Sequence, residues 1–155
     1  MESNDEFWNV RTGPRGYHHA ERALGIKAGE LTRFSRLEVS KMGEAEVAHL
    51  AARAGWDIVA QGLRGRGFEL DLVLRRGTFV NIIEVKTRLF PKTPPEGALT
   101  SGWLNTRKLA AMRRGAESLL GSGKVSTRDH ISFDLIGVDV GRDQWIRLYR
   151  WPNIL

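Results

Sequence analysis

Glu84 and Lys86 stand two residues apart at the end of an apolar run, Val80-Asn81-Ile82-Ile83-Glu84-Val85-Lys86. Glu69 and Asp71 stand two apart in the run before it, Phe68-Glu69-Leu70-Asp71-Leu72-Val73-Leu74. Both runs read as strands, in which residues two apart share a face and lie roughly 6–7 Å from each other at a rise of ~3.3 Å per residue. A short turn at Arg75-Arg76-Gly77 joins them. Paired as a hairpin, they would collect carboxylates on one sheet face with an ammonium beside them. Carboxylates of that kind hold Mg²⁺, and the lysine can orient a water or steady charge developing on a phosphate.

The elements that must position these groups can be read on both sides. A helix is expected from Ser40 to Ala54, rich in alanine and ended by Gly55, a suitable residue just past a helix terminus. On it Glu44 shares a face with Val47, Ala48 and Ala51, whereas Glu46 lies nearer His49, Leu50 and Arg53. A carboxylate on an apolar helix face costs stability unless something pairs with it, which makes Glu44 a functional candidate. The plainer alternative is a glutamate at the edge of the stripe that reaches water. Trp56 to Ala60 reads as a short strand and Gly62-Leu63-Arg64-Gly65-Arg66-Gly67 as a flexible, basic connection. Residues 87–103, with Pro91, Pro94, Pro95, Gly97 and Gly102, form a long loop of the kind that often binds ligands.

A second helix follows from Leu104 to Leu120, with Leu109, Met112, Ala116 and Leu119 on one face and Gly115 weakening it. Strands at Ile131 to Val138 and Trp145 to Tyr149 complete the pattern. Residues 1–37 form an N-terminal extension, in which Phe7, Trp8 and Tyr17 could pack, Gly13-Pro14 marks a turn and residues 17–24 could form a short helix. His18 and His19, adjacent on such a helix, would not face one metal. Residues 38–155 are then a single α/β domain of order αβββαβ plus a C-terminal strand, a mixed sheet flanked by helices.

At 155 residues the chain has room for a real core. With no cysteine it has no disulfide and no thiolate metal site, so oxygen or imidazole must hold any metal. No apolar run nears the roughly 18 residues of a membrane span, and the acidic start lacks the apolar stretch of a secretory signal. A cytoplasmic protein without a membrane partner is expected. Net charge is +6, and residues 61–124 alone carry twelve Lys and Arg against five Asp and Glu. The excess therefore surrounds the acidic cluster. Such a surface suits a nucleic acid brought to a metal, with Arg64, Arg66, Arg88, Lys92 and Lys108 on phosphates; the alternative is a solvated basic face.

Taken in order, these residues resemble the PD-(D/E)xK nuclease superfamily. They are most similar to the YraN-like family of predicted bacterial endonucleases, relatives of archaeal Holliday-junction resolvases. Gly43-Glu44 matches the family's opening Gly-Glu. Gly67-Phe68-Glu69-Leu70-Asp71-Leu72 matches its Gly-Glu-Ile-Asp-Leu strand with Phe68 inserted, and Ile83-Glu84-Val85-Lys86-Thr87-Arg88 matches its Val-Glu-Val-Lys-Thr-Arg strand. Lys108 matches a lysine opening the second helix, and Ser132-Phe133-Asp134 a late Arg-Phe-Asp, with serine in place of arginine. The resemblance covers about Met42 to the C-terminus.

That resemblance implies a restriction-endonuclease-like core and a metal-dependent endonuclease acting on DNA, branched or single-strand-containing structures included. It implies that Asp71 and Glu84 bind Mg²⁺ or Mn²⁺ with the Val85 carbonyl as a further ligand. Lys86 would position or activate the attacking water and Glu44 would complete the site, while the inserted Phe68 leaves Glu69 a weaker match than Asp71. Asp134 could belong to the site, but it reads first as a backbone anchor at the sheet edge. A homodimer is implied too, with Trp103 and Trp151 outside clear core patterns. The competing reading is a nucleic-acid-binding protein with a nuclease fold and little or no turnover. A basic protein-interaction module would leave Glu44 unexplained.

Overall fold

The two apolar runs on either side of Gly77 do pair, and the rest of the chain is built outward from them. The computed structural model describes residues 11–13, 16–23, 35–90, 105–141 and 145–155. In chain order the elements are strands β1 (Arg11–Gly13) and β2 (Gly16–Ala23), helix α1 (Arg36–Arg53), strands β3 (Asp57–Gly65), β4 (Phe68–Arg76) and β5 (Phe79–Phe90), helix α2 (Thr106–Gly121), and strands β6 (His130–Gly141) and β7 (Trp145–Trp151). The strands form one mixed sheet in the order β1-β2-β7-β6-β5-β4-β3. All neighbours are antiparallel except β5 and β6, which run parallel from Phe79↔His130 to Phe90↔Gly141. A parallel pair needs a crossover, and the chain between these two strands contains α2. The α/β class holds, and the order from α1 to β6 is compatible with a restriction-endonuclease-like core.

Each helix covers one face. Val47, Ala48 and Ala51 of α1 pack with Leu72, Leu74, Ile83, Val85, Ile136 and Val138. Met112, Ala116 and Leu119 of α2 pack with Leu70, Val73, Val80 and Ile82. Two glycines permit this approach. A Cβ at Gly43 would run into the Thr87 side chain on β5, and one at Gly115 would stand 2.6 Å from Leu70 Cδ2 on β4. Gly115 thus trades some helix propensity for close helix–sheet packing. No helix among the described residues is long and apolar enough to cross a membrane.

Several sequence expectations need correction. Of the helix expected at 17–24, residues 17–23 instead form a strand that pairs antiparallel at 17–19 and 22–23 with β7, whose outer edge would otherwise leave its backbone groups unpaired. Helix α1 begins before Ser40: Ser35 accepts from Glu38 N at 3.2 Å while Glu38 Oε2 accepts from Ser35 N at 3.3 Å, a reciprocal cap. The Gly62–Gly67 segment is not a loop, since β3 continues to Gly65 and pairs Gln61, Leu63 and Arg64 with Leu72, Leu70 and Glu69. Strand β5 likewise runs on to Phe90 into the expected loop. Phe7, Trp8, Pro14, Lys92, Trp103 and the remainder of that loop, 91–103, lie outside the described residues.

Candidate active site

The β4–β5 ladder stops at Leu72↔Ile83, and the site begins there. One residue further, β4 loses its regular alternation. Leu70 and Val73 face α2 whereas Leu72 and Leu74 face α1, so the period of two breaks around Asp71. The Asp71 side chain replaces the missing backbone partner: Val85 N–H donates to Asp71 Oδ2 at 2.9 Å. A strand residue sends its N–H and C=O to the same edge, so the Val85 carbonyl also faces this gap. Glu84 comes from the α2 side of β5 and is only 3 % exposed. The Asp71 and Glu84 carboxyls meet where the strands part.

Two ammonium groups meet the Glu84 carboxylate. Lys108 Nζ lies 2.8 Å from Oε2, and Lys86 Nζ lies 3.5 Å from Oε1. Burial, the Asp71 charge and a hydrogen bond shared with Asp71 nevertheless push the Glu84 pKa up to about 7, against the opposing pull of Lys108. Glu44, half-buried on α1, is also raised, first by burial and then by the Asp71 charge, with Lys41 pulling the other way. Burial acts to lower Lys108, but its bond to Glu84 and the charges of Glu84, Asp71 and Glu69 outweigh it and the net shift is upward. Burial first, and then the neighbouring Asp71 charge, disfavour the ionised form of Glu84, and a bound cation would favour it. Among the described residues no three His, Asp or Glu side chains form a metal cage. Two carboxylates with water and a carbonyl are nonetheless a common Mg²⁺ shell, so the donors present fit such an ion.

The expected residues divide clearly. Glu44, Asp71, Glu84, Lys86 and Val85 converge. Glu69 stands at their margin: it is exposed and bonds Arg64 Nε across the β3–β4 ladder at 3.1 Å, while its charge still acts on Glu44 and Lys108. The broken alternation separates the two acids. Among the residues expected on phosphates, Arg64 is 76 % exposed beside Glu69 and Arg66 is exposed near the β3–β4 turn. Arg88 is more committed, with Asp139 Oδ1 at 3.3 Å and the Phe90 ring centroid at 5.0 Å. Lys108 belongs to the carboxylate site rather than to a solvated basic face. Sequence reasoning gave no role to Arg114, which donates twice to the Gly67 carbonyl at 2.9 and 2.7 Å and pins the β3–β4 turn to α2. Nothing local in the sequence signals that contact.

The Glu84 shift has a definite sign. A carboxyl raised from 4.5 to about 7 on folding binds more protons in the native state between those values. Its contribution to the stability of metal-free protein is complete below the lower value and lost as pH rises through the upper one. Thermal melts in chelator should therefore show wild type losing stability relative to Glu84→Gln across that window, and added Mg²⁺ should restore most of the loss at the alkaline end. Parallel pH profiles for the two proteins would rule out the shift.

Comparison with known proteins follows the same segment. A family model described as "Uncharacterised protein family UPF0102" matches residues 43–138, from the glycine before Glu44 to the middle of β6. A UPF0102 protein of Sorangium cellulosum is 35 % identical over 110 residues, covering 71 % of this chain and 73 % of that protein. UPF0102 proteins of Alkalilimnicola ehrlichii and Symbiobacterium thermophilum are 30 % and 32 % identical over 111 residues, covering 72 % and 70 % of this chain and 85 % and 88 % of theirs.

Proposed function

We infer that this chain, which belongs to the uncharacterised protein family UPF0102, the YraN-like family, is a Mg²⁺- or Mn²⁺-dependent endonuclease that hydrolyses phosphodiester bonds in DNA. The observation that carries this reading is the meeting of the buried Asp71 and Glu84 carboxyls at the end of the β4–β5 ladder, with Lys86 and Lys108 against them. Asp71 and Glu84, with the Val85 carbonyl, would hold the cation. Bound there, it would act as a Lewis acid on the scissile phosphate and help to ionise water. Lys86, 41 % exposed at its side chain, reaches both Glu84 and solvent, a position from which it can orient the attacking water. Glu44, its carboxyl pushed upward by burial and by the Asp71 charge, could take or return a proton during hydrolysis. Arg64 and Arg66 offer exposed charge for the phosphate backbone.

The binding-only alternative draws on a specific observation as well. Glu84 already has two ammonium partners, and no three-ligand acidic group exists among the described residues. The purified protein should be assayed on linear, flapped, single-stranded and four-way-junction DNA, and on RNA, with Mg²⁺ or Mn²⁺. Cutting that chelator abolishes supports the enzyme; retained binding with no cutting above a Glu84→Ala control gives the binding reading its place. A homodimer is part of the same proposal, because two sites related by a two-fold axis suit the two strands of a duplex. Trp151 lends it no weight, since its ring packs on Tyr149 at 5.8 Å. Sedimentation showing only monomer at tens of micromolar protein would remove the dimer.

A further inference from the structure

Lys108 is a cation in a costly place. It lies in the first turn of α2, where the helix dipole favours anions, and that turn contains no acidic residue. Its own backbone is fixed: Lys108 N–H donates to Asn105 Oδ1 at 2.8 Å in the N-terminal cap. The long side chain is therefore the mobile part, and it ends 2.8 Å from Glu84 Oε2, closer than Lys86 comes to the other oxygen. About a quarter of that side chain is exposed, so a path to solvent is open to it. An ammonium this close competes with a divalent ion for that carboxylate oxygen.

We propose that Lys108 is a displaceable counter-ion, holding Glu84 in the metal-free protein, yielding it to the arriving divalent cation and then contacting a phosphate of the bound nucleic acid. The inference rests on the metal-dependent reading above and assigns Lys108 a step within it. Bond for bond the exchange balances: one ammonium–carboxylate contact breaks, one cation–carboxylate contact forms, and the freed positive charge goes to the anionic substrate whose approach the cation also assists. Removal of the ammonium therefore has opposite consequences for the two ligands. Metal binding loses a competitor, while nucleic-acid binding loses a partner.

The test is Lys108→Met, which keeps the length of the stem and removes the charge. Calorimetric titration with Mn²⁺ alone should give a Kd roughly tenfold tighter than wild type, as loss of a like charge a few ångströms away requires. DNA binding in Mg²⁺ should weaken, with its salt dependence flattened by about one unit of log–log slope. Unchanged or weaker Mn²⁺ binding by the variant overturns the proposal. If wild type binds no Mn²⁺, the metal reading itself fails, and this inference with it. A second measurement needs no variant: amine labelling of the unaltered chain, followed by mass spectrometry, should find Lys108 protected in chelator and reactive in Mg²⁺. Equal reactivity in both overturns the proposal even if Lys108→Met does not fold.

Discussion

Glu84→Ala is expected to lower metal-dependent strand cleavage by about a thousandfold or more, roughly 4 kcal/mol of transition-state stabilisation, while leaving nucleic-acid binding intact or tighter. The two halves of this result have different causes. On the proposed mechanism cleavage would need the cation, and Glu84 would supply one of the two buried carboxylates that could hold it. Binding needs positive charge facing phosphate, and a carboxylate at the site opposes it, so removing that carboxylate relieves repulsion. Asp71→Ala should behave alike in cleavage but cost more in stability, because Val85 N–H loses its acceptor.

The complementary variants are Arg64 and Arg66. Neutralising these exposed arginines should weaken binding across all sequences, with the salt slope reduced by about one unit per lost phosphate contact on duplex DNA. Arg88 and Lys108 make poorer probes of binding than their charge suggests. Arg88→Ala would take a partner from the fully buried Asp139, and any change at Lys108 also alters Glu84. If Glu84→Ala loses binding as completely as cleavage while staying folded by circular dichroism, the division between carboxylates and arginines is wrong.

What the chain revealed in advance, and what it hid, follows from the range of the interactions. Asp71, Glu84 and Lys86 were legible because a hairpin of known period brings near residues together, and Glu44 because three apolar neighbours fix its helix face. The fate of Glu69 was not. Phe68-Glu69-Leu70-Asp71-Leu72 reads as unbroken alternation; the break comes from Leu70 meeting Gly115 on α2 and from the end of pairing with β5. Lys108 looked like surface charge because its partner lies on another element. Even so, two cations in a helix's first turn without an acid were a readable oddity. The Ser35–Glu38 cap was also written in the sequence, whereas the strand at 16–23 depends on β7 and no local pattern announces it.

Asp134→Ala is expected to cost on the order of 3–5 kcal/mol of stability, the size of effect seen when one member of a buried ion pair is removed. Asp134 is fully buried, and it lies in the interior of the sheet rather than at its edge. Its Oδ2 accepts from Arg150 Nη2 at 2.7 Å, Arg150 Nε at 2.9 Å and Asn81 Nδ2 at 2.9 Å; its Oδ1 accepts from Asn153 N at 3.1 Å. One carboxylate thus joins β5, β6, β7 and the C-terminal segment, and alanine would strip a charged acceptor from four donors at once. Arg150 is itself 2 % exposed, so water compensates little. The melting temperature should fall by roughly 10 °C for a chain of this size. Replacing the pair together, Asp134→Leu with Arg150→Met, should recover much of the loss, because it removes the charge left behind rather than abandoning it. Asp134→Asn, assayed well below its melting temperature, should still cut DNA at a rate within a few-fold of wild type, since none of the four contacts reaches the Asp71–Glu84 site. Loss of cleavage in a folded Asp134→Asn protein would move Asp134 from the scaffold into the chemistry.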